Sequence, residues 1–243
     1  MGRIILALLF LFLSLSCFSQ FTDTTNHYFK FNSTGVINRT NDAKSYVFAN
    51  KLAYSVKHKS MVTNTGATWL YGLQDDELTN NDFSAQANME FGKGVHKLYY
   101  WALVNYDKSF SLKITDRVQA GAGIGYDFID SPYLRINLSD GILYEYANLK
   151  DPHLVYNTAR NSLRLLYHWS LHDKLIIDGV HFYQPSFRDI SDYIITSTSN
   201  VAVKLNKWLG ITGSFIYNKV SRTKRENVLM TYGILIEKYR ADF

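Results

Sequence analysis

From Tyr28 to Tyr239 the chain repeats one unit: ten or more residues that alternate between polar and apolar, then a turn. Alternation is the period of a strand, in which residues two apart share a face. Twelve runs of this kind are expected, at 28–38, 44–58, 61–73, 82–92, 97–107, 117–129, 133–147, 157–171, 175–184, 191–205, 208–219 and 227–239. The ninth, "LIIDGVHFYQ", alternates poorly. No helical stretch, linker or low-complexity segment interrupts the series. With 18 Tyr and 15 Phe against 3 prolines, the composition favours strands as well.

The run "RVQAGAGIGYDFID" shows what the alternation separates. Its glycines suggest a phosphate-binding loop, but G-x-G-x-x-G spacing is absent and no helix follows. One face carries Arg117, Gln119, Gly121, Gly123, Gly125 and Asp127; the other carries Val118, Ala120, Ala122, Ile124, Tyr126 and Phe128. Alternation alone does not say which face is inside. Three other features decide it.

The first is the leader "MGRIILALLFLFLSLSCFSQ", with a positive charge at Arg3 and an unbroken apolar run from Ile4 to Leu13. It reads as a secretory signal over residues 1–19, cleaved after Ser19, too short to span a membrane as a helix. Cys17 lacks the leucine normally found three residues ahead of a lipid-modified cysteine, so plain cleavage is expected. The exported chain, residues 20–243, then has no cysteine and is held by burial or by a membrane, as one domain. Its net charge falls from +5 to +4 with the loss of Arg3, a mild excess that suits lipid phosphates or anionic solutes better than nucleic acid.

The second is the order of the connections. Short links, such as Lys59-Ser60, Asp130-Ser131-Pro132 and Asn206-Lys207, alternate with longer polar ones such as "QDDELTNN", "DKSFSLKITD" and "SRTKREN". Outer-membrane barrels have short periplasmic turns and longer outer loops. The third is strand length, which matches a tilted bilayer crossing and exceeds the usual soluble strand. The expected fold is therefore all-β: an antiparallel, up-and-down transmembrane barrel of about 12 strands with both termini periplasmic. Its apolar faces meet lipid. Its lumen is lined by Lys51, Glu90, Arg117, Asp127, Arg135, Glu145, Arg160, Arg164 and Glu237, with Gly121, Gly123 and Gly125 as a smooth stretch of wall. A soluble secreted barrel binding an apolar ligand is the alternative.

The segments "RVQAGAGIGYDF", "LRINLSDGILYEY" and "YQPSFRDISDYIITSTSNVAVKLNKWLGITGSFIYNK" follow one another in an order that resembles domain-of-unknown-function family 481, the salt-induced outer-membrane proteins. The resemblance covers nearly all of the mature chain and implies a Gram-negative outer-membrane barrel of unassigned biochemical role. Within that frame Asp140 is out of place, standing among lipid-facing Ile136, Leu138, Ile142 and Tyr144. A bulge or register shift is expected there.

Chemical motifs are few. In "YHWSLHDK" a base and a hydroxyl, His168 and Ser170, share a face, which resembles the His-x-Ser pair of outer-membrane phospholipases and lipid A deacylases. Here Leu171 follows where those enzymes carry Asn, and the pair is expected to face the lumen near its periplasmic end. His27, His58, His96, His153, His172 and His181 stand at no spacing that builds a metal site. No metal, cofactor or nucleic-acid partner is expected, and the reading is non-enzymatic. Arg222, Lys224 and Arg225 in an outer loop read either as a clamp on lipopolysaccharide phosphates or as a solvated loop. The lumen charges allow two readings: a narrow anion-preferring pore, or ion pairs that close the barrel. The expected partners are outer-membrane lipid, lipopolysaccharide and the barrel-assembly machinery that inserts such chains.

Overall fold

The computed structural model describes residues 26–39, 44–93, 96–150, 153–172 and 174–240. The expected signal sequence lies outside them. The described residues form thirteen strand segments: β1 (His27–Arg39), β2 (Lys44–His58), β3 (Met61–Gln74), β4 (Glu77–Phe91), β5 (Leu98–Ser109), β6 (Ile114–Asp130), β7 (Leu134–Lys150), β8 (His153–Asn161), β9 (Leu163–Leu171), β10 (Leu175–Pro185), β11 (Tyr193–Lys204), β12 (Leu209–Val220) and β13 (Arg225–Arg240). β8 and β9 are two halves of one wall strand. Both pair with β7 in a single register, from Ile142↔Asn161 to Ser139↔Arg164, and only Ser162 interrupts them. The wall thus has twelve strands, each antiparallel to its neighbours. It closes where β1 meets β13, from His27↔Arg240 to Gly35↔Tyr232. No described helix is long and apolar enough to cross a membrane.

The faces invert the plan of a soluble protein. Glu145 and Arg160 are 0% exposed, whereas Met230, Tyr232 and Ile142 are 71%, 66% and 59% exposed. Such continuous outward apolar surface is unfavourable in water and is what a lipid-facing wall requires. Aromatic residues gather toward both rims of that surface, with Phe91, Tyr100 and Trp169 at one end and Trp69, Phe83 and Tyr183 at the other. The closed wall pairs each strand with a neighbour on both sides, which makes the strands tolerable in lipid.

The glycine stretch answers to two rings inside the lumen. A Cβ on Gly125 would meet the Tyr99 ring, with its hydroxyl at 2.5 Å, and a Cβ on Gly141 would lie 2.5 Å from the Trp101 ring. Tyr99 and Trp101 pack with Leu143, all three almost fully buried, so the bare backbone of β6 and β7 is the floor on which they rest.

Two expectations need correction. The outer links are shorter than the sequence suggests. "QDDELTNN" makes a two-residue turn at Asp75-Asp76, both left-handed (φ 51° and 66°); Gln74 ends β3 and the residues from Glu77 on belong to β4. The other described outer links are residues 110–113, 186–192 and 221–224. The irregularity expected at Asp140 lies instead on the neighbouring strand. β6 and β7 pair without a break through Ile124↔Asp140, and the interruption is at Ser162, where the Asn161 amide donates to Asp140 at 2.7 Å. The pair sits on the lipid face beside an open cleft of about 420 Å³. Replacing both residues with leucine should stabilise the barrel by about 1–2 kcal/mol, because an outward carboxylate near mid-wall is unfavourable in hydrocarbon. The midpoint of urea unfolding in lipid vesicles measures this; a lower midpoint would mean that the pair holds the broken strand together.

Candidate functional site

The register turns Lys51, Glu90, Arg117, Asp127, Arg135, Glu145, Arg160, Arg164 and Glu237 toward the lumen, and most enter one of four clusters. The outer half holds the densest. Arg160 donates to Glu145 at 2.9 Å and to Asp192 at 3.0 Å, and its other terminal nitrogen donates to the Asp192 carbonyl at 3.0 Å. Tyr156 and Gln119 donate to the same Glu145 carboxylate at 2.6 and 2.7 Å. Gln119 also reaches Gln184 across the lumen at 3.3 Å. Beside this network Arg117 binds Asp107 at 2.9 Å. Above it Leu112, Ile114, Leu149, Ile194 and Val220 form an apolar cap inside the outer mouth.

The periplasmic half is organised around Glu90 and Glu237. Lys93 binds Glu90 at 2.7 Å, Arg164 lies 3.5 Å from the same carboxylate, and Arg164 donates to the Tyr99 hydroxyl at 2.8 Å. Tyr99 donates to Asn137, whose amide donates to Asp127 at 2.8 Å. Across the barrel Glu237 takes Lys204 at 3.0 Å and Lys30 at 3.8 Å, and Lys30 also lies 3.7 Å from Asp178. Arg135 stays at the rim and pairs with Asp130 at 2.8 Å.

Lys51 differs from the rest. It faces the lumen from the middle of β2, it is exposed, and among the described residues no carboxylate forms an ion pair with it. Gln86, on the facing side of β4, is exposed as well, and Thr68 and Gly66 of the intervening β3 are half-exposed. A lumen-facing side chain can be exposed only where water enters. The β2–β4 side of the lumen therefore holds open space, while the β6–β8 side is filled by Arg160, Glu145 and Leu143.

Sequence reasoning missed Asp107, Lys93, Asp178 and Asp192. Asp107 shares the face of Tyr99 and Trp101 on β5, so alternation could have found it; Asp192 belongs to the 186–192 link, where alternation says nothing. His168 and Ser170 lie on the lumen side of β9 near the periplasmic turn. Of the outer basic run, Arg222 is not free for lipid phosphates: it binds Asp192 at 2.7 Å and stacks on Tyr156 at 4.1 Å. Lys224 and Arg225 stand exposed at the hairpin tip. Among the described residues no three His, Cys, Asp or Glu side chains gather as a metal site.

A closed twelve-strand wall, apolar outside and polar within, is the architecture of an outer-membrane β-barrel. The chain belongs to the DUF481 family, proteins of unknown function, whose pattern matches residues 32–232. Its fold is similar to the translocator domain of the autotransporter NalP from Neisseria meningitidis (11% identity, TM-score 0.50, covering 97% of this chain and 94% of that one). It is also similar to the NanC porin (7% identity, TM-score 0.52, covering 87% and 99%). No curated protein matches the chain in sequence.

Proposed function

We propose that the chain is a narrow passive channel of a Gram-negative outer membrane, exported by its leader, with a water path along the β2–β4 side of the lumen. The observation that carries this is the exposure of Lys51 and Gln86 inside a barrel whose other half is filled. The clustered charges largely cancel one another; on the β2–β4 side stand Lys51 and the Asp82 carboxylate of β4, which takes the Ser109 and Ser111 hydroxyls. Small anions should be favoured over cations, because Lys51 stands exposed at mid-passage while the Asp82 carboxylate is taken up by two serine hydroxyls, and exposed fixed charge in a narrow, low-dielectric passage sets the local potential. That one of the similar walls belongs to a porin is in keeping with this reading.

Planar-bilayer recording on the folded, detergent-purified barrel tests it. Discrete conductance steps with a reversal potential favouring anions are expected in a salt gradient, and Lys51→Glu should reverse that preference. A barrel that inserts and never conducts would end the channel reading.

A second reading, contact with lipopolysaccharide, is supported by exposed Lys224 and Arg225 at the β12–β13 tip. Guanidinium and ammonium groups at that height would meet headgroup phosphates.

A further inference from the structure

The lipid-facing wall is apolar over most of its area, interrupted by the polar pairs Asp140–Asn161 and Ser33–Asn50 and by a larger polar island across β9, β10 and β11. There His181 and Ser197 are cross-strand partners, and His181 Nδ1 lies 2.6 Å from Ser197 Oγ. The imidazole does not stand alone. The Tyr167 ring stacks on it at 5.5 Å between centroids with 23° between planes, and the Tyr167 hydroxyl lies 3.1 Å from Ser199 Oγ. Tyr167 reaches this position because Gly179 lies beneath it: a Cβ there would stand 2.5 Å from the ring's hydroxyl end.

Wall closure does not call for these groups. The β10–β11 ladder runs without a shift from Leu175↔Val203 to Pro185↔Tyr193, and apolar side chains would serve it as well. Polar side chains facing lipid are unfavourable and mark function more often than structure. The depth is also informative. Tyr217 is the β12 partner of Ser197, and two residues further along stand outward Lys219 and Glu226, which pair with each other. This outward ion pair marks where this side of the wall leaves hydrocarbon. The island lies one side-chain repeat below them, about 7 Å along the strand, the depth at which outer-leaflet lipids carry their acyl esters.

We propose that Ser197 and His181 form a catalytic dyad that hydrolyses ester-linked acyl chains of outer-leaflet lipids. His181 Nδ1 takes the Ser197 proton as Oγ attacks the ester carbonyl carbon, and the carbonyl pair moves onto oxygen. Collapse of that intermediate breaks the bond to the alcohol oxygen, which leaves with the proton held by His181. Interfacial water then attacks the acyl-serine; His181 takes the water's proton and returns it to Ser197. The products are a fatty acid and an alcohol. Tyr167 is a positioning residue that fixes the imidazole plane, and Ser199 offers a second hydroxyl on the same face. His168 and Ser170 lie on the other side of the wall and take no part.

The test uses the folded barrel in detergent micelles with diacyl phospholipid in one arm and lipopolysaccharide in the other. Fatty-acid release is read by mass spectrometry and serine labelling with a fluorophosphonate probe. Release in either arm, with the probe mapped to Ser197, is expected, and the arm names the lipid. Ser197→Ala should abolish release and labelling, and His181→Ala should slow release by about 10²- to 10⁴-fold, the range of a lost general base. Ser170→Ala should leave both unchanged. Tyr167→Leu should slow labelling and move its pH profile, which loss of packing alone would not do. Heat-modifiable migration on gels shows that each variant is folded. Wild-type barrel that releases no fatty acid in either arm, or release that survives Ser197→Ala, would overturn the proposal whether or not the lumen conducts.

Discussion

Arg160→Met should lower the stability of the barrel by about 3–5 kcal/mol, the usual effect of removing one partner from a buried ion pair. Arg160 is 0% exposed and satisfies Glu145 from β7 and Asp192 from the outer link together, so its loss leaves Glu145 buried without its ion-pair partner, held only by Tyr156 and Gln119, while Asp192 keeps Arg222. Urea unfolding in lipid vesicles gives the stability. The control is the triple replacement of Glu145, Arg160 and Asp192 by apolar residues of similar volume, which should recover most of the loss, because the penalty lies in unpaired charge and not in missing attraction. The same variant probes the lumen. Arg160 ties the 186–192 link to β7 and β8, so its removal should free that link and give larger conductance steps than wild type. Unchanged stability would show that water reaches the cluster and screens it.

Gly125→Val should prevent the barrel from forming. The new side chain would occupy the volume of the Tyr99 ring, which is 0% exposed and tied by its hydroxyl to Asn137 and Arg164. Overpacking alone costs about 1–3 kcal/mol, and displacing Tyr99 also releases Arg164 and disturbs the Glu90–Lys93 cluster. The expected result is loss of the heat-modifiable folded band on refolding. Adding Tyr99→Ser should bring the band back by emptying the space. If Gly125→Val folds normally, Tyr99 does not rest on β6 as described.

Much of the wall was legible in the sequence, because alternation is a local property. The expected runs at 44–58, 61–73 and 175–184 fall within a residue of β2, β3 and β10. The outer rim was harder to read. A strand that rises above the bilayer meets water on both faces, so Thr79 and Asn81 look like loop residues while forming part of β4. The ninth run alternates poorly for a physical reason: β10 places Gly179 and His181 on its outer face and Ile176, Val180 and Phe182 inside. What the sequence withheld was register. Parity could turn Arg160 inward but could not pair it with Asp192, thirty-two residues on. For the same reason His181 stood among scattered histidines, since sixteen residues separate it from Ser197 and only the β10–β11 pairing joins them.

The seam between β1 and β13 bears on how such a molecule comes into being. It joins Tyr28 to Tyr239, nearly the two ends of the described chain, so it can form only after almost every other hairpin exists. Contacts so distant in sequence are the slowest to make, because the whole intervening loop must be drawn together first. Until then each terminal strand presents a row of unmatched amides and carbonyls, a state that hydrocarbon penalises and that neighbouring chains would readily join. The polypeptide therefore has no stable halfway form in a bilayer. A scaffold that shielded both free edges until they met would speed the closing of the ring, and we propose that an inserting machine acts on this chain in that way.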